Sequence, residues 1–134
     1  MKKAYIDLDV WKRSRSLASD IYSITKKFPK DELFGLTNQM RRSAVSVPSN
    51  IAEGLGRQHE NEAIQFFYIA RGSLYELETQ LYISFDQKYL SEADLKSTLE
   101  EVTACKQMLH GFINYYRRLR NSTNEQRKTN NEIE

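Results

Sequence analysis

The sequence is short of cysteine, proline, glycine, histidine and long apolar runs, and each shortage removes a class of protein. Its single cysteine, Cys105, leaves no partner for an intramolecular disulfide and no multi-cysteine zinc site. Two prolines and five glycines in 134 residues are too few for an all-β chain, which turns about every 8–12 residues. The same scarcity excludes collagen-like and low-complexity chains. No apolar run approaches the roughly 18 residues of a membrane span. The opening MKKAYIDLDVWKRS has two lysines but no apolar stretch behind them, which speaks against a secretory signal. The expected compartment is therefore a reducing cytoplasm, with no membrane partner, and Asn121-Ser122-Thr123 is a chance match to a glycosylation acceptor.

The missing histidines also count against catalysis. A di-iron bundle needs Glu-x-x-His pairs, but Gly56 and Gln107 stand three residues before His59 and His110. Cys105 and His110 are five apart on one expected helix, so they point to different sides and make no nucleophile pair. Cys105 reads instead as a half-buried small side chain. Gly54-Leu55-Gly56 lacks the third glycine, the preceding strand and the following Lys-Ser/Thr of a phosphate loop. Helix termination accounts for these glycines better. The expectation is a protein that is not an enzyme and holds no metal or cofactor.

What is present is helical rhythm. The length of 134 residues is that of one domain. Val10, Leu17, Ile21, Ile24 and Phe28 fall on one helix face, and Pro29 stops the run. Leu33, Leu36, Met40, Ala44, Val47 and Ile51 make a second face that closes at Gly54 and Gly56. Ala63, Phe67, Ala70, Leu74, Leu77, Leu81 and Ser84 mark a third helix over about Glu60 to Lys88. Ser91, with Asp94 three residues on, starts a fourth in the manner of a capping box. Leu95, Leu99, Val102, Leu109, Ile113 and Tyr116 follow, with Lys106 in one slot of the rhythm. Short connections make successive helices antiparallel. The fold class is therefore all-α, an up-down-up-down antiparallel four-helix bundle over residues 1–120. The polar, aperiodic residues 121–134 read as a flexible tail. Pro48 lies inside the second segment, at a cost of about 3 kcal/mol for a helix interior. The rhythm continuing across it favours a kinked helix over a break in which Asn50 caps a new one.

Charge is segregated. Residues 1–57 carry 11 basic and 6 acidic groups, residues 58–102 carry 3 and 9, and residues 103–134 carry 6 and 3. In the expected topology the start of helix one meets the ends of helices two and four and the start of helix three. That gathers Lys12, Arg13, Arg15, Arg57, Arg117, Arg118 and Arg120, with Lys2 and Lys3 nearby. Basic residues opening a helix oppose its dipole, so the arrangement invites a functional reason. Trp11, Tyr115 and Tyr116 stand beside it as stacking partners for unpaired bases.

A second surface is a row of tyrosines. Tyr68, Tyr75, Tyr82 and Tyr89 repeat every seven residues, one position after the core residues Phe67, Leu74 and Leu81. Helix four has an analogous row in Cys105, Met108, Phe112, Tyr115 and Leu119. One four-helix core does not need both extra rows, so they predict a contact between subunits, with Gly72 and Ser73 permitting close approach.

Two stretches are more specific than any period. QMRRSAVSVPSNIAEGLGR (Gln39–Arg57) and FFYIARGSLYELETQL (Phe66–Leu81) resemble the four-helix-bundle family first noted in intervening sequences of bacterial large-subunit ribosomal RNA genes. DVWKRSRSLA (Asp9–Ala18) is similar to that family's opening. The resemblance covers about residues 8–120 and implies a ring-shaped homopentamer of compact protomers, of largely undefined activity. A distant relative, the accessory protein of diversity-generating retroelements, binds nucleic acid. Ribosomal-protein labels on the family reflect gene position. The resemblance maps the family's motif onto Trp11, Arg41, Arg42, Pro48, Asn50, Glu53, Gly54, Arg57, Gly72, Ser73, Glu76 and Glu78. Relatives often carry Ser or Thr where this chain has His59.

The polar members of that motif favour a structural role. Glu53 and Arg57 are an i,i+4 pair beside Asn50, suited to tying the kinked helix to its neighbours. Arg41 and Arg42 aim about 100° apart, so one can reach Glu76 or Glu78 while the other faces solvent. The resulting expectation is a homo-oligomeric bundle that binds nucleic acid, RNA in preference to DNA, through its basic ends and with little sequence specificity. The alternative is a scaffold that docks a protein partner.

Overall fold

The computed structural model describes residues 4–133, with side chains over residues 4–130. Lys2 and Lys3 lie outside the described residues. Four helices carry the architecture: α1 (Asp9–Thr25), α2 (Asn38–Leu55), α3 (Glu60–Asp86) and α4 (Glu92–Ile133). A 3₁₀ turn, Tyr5–Asp7, precedes α1. Between α1 and α2 lie a 3₁₀ turn, Lys30–Glu32, and a π-helical turn, Leu33–Thr37.

The apolar rhythm becomes the core. Leu17, Ile21, Met40, Val47, Ile51, Phe67, Leu74, Leu77, Leu81, Leu109 and Ile113 are fully buried, each from the face the spacing selects. Contacts of opposite register show that α3 runs antiparallel to both neighbours. On α2, Ser43 and Ser46 meet Glu76 and Ser73 of α3. On α4, Lys106, Arg117 and Thr123 meet Glu78, Tyr68 and Glu60 of α3. At the α1–α2 connection, Thr25 accepts a hydrogen bond from Nε of Arg41 at 3.0 Å.

Helix ends follow local chemistry. Ser91 Oγ accepts the Asp94 backbone N–H at 3.0 Å, so the expected serine cap opens α4. Helix α3 stops at Asp86. There Lys88 takes φ 66°, and the Tyr89 and Lys88 N–H groups bond back to Ser84 and Phe85 carbonyls at 2.9 Å each. This is a Schellman closure with lysine where glycine is usual. Through Pro48, α2 stays one helix and does not break. Asn50 caps nothing; its Nδ2 donates to the Ser46 carbonyl at 2.8 Å and to Ser46 Oγ at 2.9 Å.

Two expectations need correction. The fourth helix does not give way to a flexible tail after Arg120 but continues to Ile133. Residues 121–133 contain neither glycine nor proline, so nothing in them ends a helix already growing. Gly54 does not terminate α2 either, since it lies within the last turn. A Cβ there would stand 2.5 Å from Phe67 Cε1 and 2.9 Å from the Ala63 carbonyl oxygen. Glycine is required at this point because α2 and α3 nearly touch.

Candidate functional site

The predicted basic end is only partly assembled. Arg13 forms a two-pronged contact with Glu101, at 3.2 Å through Nε and 3.1 Å through the terminal nitrogen. The Glu101 carboxylate raises the guanidinium above its ordinary value, first by hydrogen bonding and then by charge. Glu101 precedes Arg117 by 16 residues on α4, roughly 24 Å along the axis. The opening of α1 is therefore anchored to the early part of α4, away from Arg117, Arg118 and Arg120. An acidic partner for Arg13 outweighed the topology that was expected to group it with other cations. Arg15 stays local too, over the Trp11 ring at 5.4 Å, with Tyr5 edge-on to Trp11 at 5.3 Å. Lys12 is exposed.

The other cations divide into engaged and free. Arg57 bonds Glu53 at 3.1 Å and lies over the Phe66 ring at 4.6 Å. Arg117 Nε donates to the Tyr68 hydroxyl at 3.0 Å, and its guanidinium leans over that ring. Arg120 reaches Asn61 at 3.5 Å. These contacts place the last turn of α2, the first turn of α3 and the late part of α4 at one end. Because α4 runs on, that end also receives Arg127, which lines a hollow with His59, Glu60, Asn61, Arg120 and Thr123. Arg118 is exposed with no ion-pair partner among the described residues. Sequence reasoning missed Arg127 and Lys128 by assigning them to a flexible tail; the absence of helix-breaking residues was the available signal.

The motif's polar residues are distributed along two seams. Arg41 donates to Thr25 and lies over the Tyr22 ring at 4.7 Å, so it does not reach Glu76 or Glu78. Arg42 is exposed. Glu76 takes the Ser43 hydroxyl at 3.4 Å, and Ser73 Oγ donates to Ser46 Oγ at 2.9 Å. Asn50, Ser46 and Ser73 thus form one chain of hydrogen bonds across the α2–α3 contact. Glu78 binds Lys106 Nζ at 2.6 Å, and that ammonium also sits over the Tyr75 ring at 4.7 Å. The lysine that interrupted the apolar rhythm of α4 is the partner of a glutamate on α3.

The tyrosine row splits in two. Tyr68 and Tyr89 are half-buried, the first under Arg117 and the second 5.3 Å from Phe28. Tyr75 and Tyr82 are 54% and 51% exposed. The second row is mostly core: Cys105 is buried, while Met108 and Phe112 pack against the core cluster. Phe112 stacks on Phe67 at 5.1 Å. Of that row only Tyr115 and Leu119 present much surface. Burial, more than the charge of Glu101, pushes the Cys105 thiol up to about 11. Gly72 does not serve a close approach inside the chain, because a Cβ there would meet nothing within 4 Å.

Between α3 and α4 the outer face carries two adjoining hollows. One, of about 570 Å³, is lined by Tyr82, Leu95, Leu99 and Ala104 with Glu92, Lys96 and Glu100 around them. The other, of about 470 Å³, has Arg71, Tyr75, Lys106 and His110. Among the described residues, no cluster of three or more His, Cys, Asp and Glu side chains is placed to hold a metal ion. No helix there is long and apolar enough to cross a membrane.

Residues 6–111 match the model of one protein family, the 23S rRNA-intervening sequence protein. The chain belongs to that family. As an intervening sequence protein it is also similar to a solved protein of unknown function from the S23 ribosomal protein family of Bacteroides thetaiotaomicron. That likeness has a TM-score of 0.73 at 24% identity, over 78% of this chain and 95% of the other, and it is one of fold. No curated protein matches.

Proposed function

We propose that this intervening sequence protein is a non-catalytic bundle that assembles with copies of itself through the outer α3–α4 face. In this reading the assembly holds RNA, with little base specificity, on its cationic end. The observation that carries the assembly is the face itself, where Tyr75 and Tyr82 stand largely uncovered beside an apolar hollow. Surplus apolar surface of this kind on a small protein marks an interface. A glycine inside a helix costs roughly 0.5–1 kcal/mol relative to alanine. Gly72 shares a face with Tyr68 and Tyr75, and a Cβ on it would meet no atom of the described residues within 4 Å. A helix of a second copy lying close over that face supplies the need for glycine. The homopentameric ring implied by the family resemblance is one such assembly.

The RNA reading is supported by a different observation. The late part of α4 carries Arg118 and Arg120 alongside the first turns of α3 and Arg127 and Lys128 beyond them, at the end of the bundle that also holds Arg57 and His59. Repetition of that end around an assembly multiplies phosphate contacts on one polymer.

Two measurements test the pair of statements. Native mass spectrometry of wild type should give a multimer, and Tyr75→Glu should lower its mass; a wild-type monomer at every concentration overturns the assembly. Titration of a generic single-stranded RNA at two salt concentrations should give a steep salt dependence. That dependence should become shallower in Arg118→Ala/Arg120→Ala/Arg127→Ala. Arg117 is left in place because it holds Tyr68. No RNA binding at low salt leaves the assembly as a scaffold for a protein partner.

A further inference from the structure

The connection between α1 and α2 carries apolar surface that none of the described residues covers. Phe34 is 91% exposed, and Leu33 beside it is 48% exposed. Leu33 lies on the apolar rhythm of α2, yet it is not in the core. Gly35, at φ −112° and ψ −114°, leaves the helical well and uncouples Leu33 and Phe34 from the helix that follows. A lone exposed apolar residue is ordinary. A phenylalanine uncovered over almost its whole surface, with a leucine next to it, is a ready anchor for a hydrophobic pocket.

We infer that Phe34 and Leu33 of one copy dock into the apolar α3–α4 hollow of the next copy. The inference rests on the assembly reading and names which segment enters that face. Three observations support this occupant. First, the hollow's floor of Leu95, Leu99, Ala104 and the Tyr82 ring is apolar, and its volume of about 570 Å³ falls within the roughly 300–1,000 Å³ of pockets that take up groups of this size.

Second, the charges around the two parts are complementary. Lys26, Lys27 and Lys30 flank the anchor and have no acidic partner among the described residues, and Glu92 and Glu100 on the rim of the hollow have no basic one. With the anchor's own acids, Asp31 and Glu32, the segment keeps a net charge of +1, and with the rim cation Lys96 the hollow's rim keeps −1. This is the local form of the opposed charge of residues 1–57 and 58–102.

Third, anchor and hollow lie at the same end of the bundle. Phe28, just before the connection, stacks on Tyr89 in the α3–α4 turn, and Glu92 opens the hollow three residues later. Two different patches at one height, each facing a copy of the other, make a head-to-tail contact. Rotation about an axis along the bundle then closes such contacts into a ring. A two-fold dimer would instead pair one patch with itself.

The test combines loss of the anchor with a directed cross-link. Phe34→Ala removes a side chain that is 91% exposed in the protomer, so its helical content should match wild type, while its melting temperature falls only by what the lost assembly contributed. Its native mass should fall to that of the monomer. For the cross-link, which keeps Phe34 in place, an Asp31→Cys chain is mixed with a Lys96→Cys chain and treated with a short bis-maleimide. Cys105 is buried and contributes no reactive thiol. A covalent dimer should form in the mixture and in neither chain alone. A wild-type multimer whose mass survives Phe34→Ala, or that yields no mixed dimer, overturns the anchor while the assembly reading stands. A wild-type monomer overturns both. Equal cross-linking of Asp31→Cys to itself replaces the head-to-tail contact with a two-fold one and overturns the proposal.

Discussion

The two flanks of α3 are built from one heptad rhythm and end up different. Toward α2, small residues let the backbones close: Gly54 lies against Phe67 and the Ala63 carbonyl, and Ser46, Asn50 and Ser73 thread hydrogen bonds through the contact. Toward α4, the outer flank is held open by large side chains. Tyr68 and Tyr75 receive Arg117 and Lys106, and Tyr82 borders a hollow. Periodicity decides that a side chain leaves the core at a given angle. Size and polarity then decide whether that angle is filled by the chain itself or left for a partner.

Substitutions on the two flanks should separate these cases, and the largest effect is expected where both meet. Phe67 touches Gly54 on one side and the Phe112 and Tyr116 rings on the other. Phe67→Ala should cost about 3–5 kcal/mol of stability, read from urea unfolding; a loss below 1 kcal/mol would mean that the flanks do not share this core residue. Next comes Gly54→Ala. Its new methyl has backbone in its way, so a loss of about 1–3 kcal/mol is expected. Gly72→Ala should go the other way and stabilise the isolated protomer by roughly 0.5–1 kcal/mol, while weakening the assembly detected by native mass spectrometry. Two glycine-to-alanine changes of opposite sign on one helix pair would sharpen the contrast; equal signs would erase it.

The smallest effect near neutral pH concerns Cys105. Its thiol is raised from 9.0 to about 11 in the folded chain, so the unfolded chain loses the proton first. The thiol's contribution to stability is therefore constant below about pH 9 and falls between pH 9 and 11. A Cys105→Ser variant should flatten that part of the profile. Thiol labelling at pH 8 should stay slow until denaturant is added.

The four helices and nearly all of the core were legible because burial selects a 3.6-residue spacing that survives any detail of packing. Ile21, Ile51, Leu74 and Ile113 are buried as their spacing requires. Ser91 was legible as a cap because capping is chemistry within one turn. The candidate surfaces were less legible. The seven cations were grouped by topology alone, and Arg13 was lost to Glu101, 88 residues away in the chain. Lys106 was visible as an anomaly, but its partner Glu78 lies on another helix. Cys105, Met108 and Phe112 read as surplus because the width of a core seam depends on how far four helices interlock.

The order of elements, the buried face of each helix and the segregation of charge belong to the sequence itself, since each depends on neighbours within a few residues. Tertiary structure decided which polar group meets which, whether Gly54 ends a helix or admits a ring, and that Leu33 and Phe34 stay outside while Phe28 goes in. Those outcomes depend on distances between helices, and such distances arise only when all four close on one core.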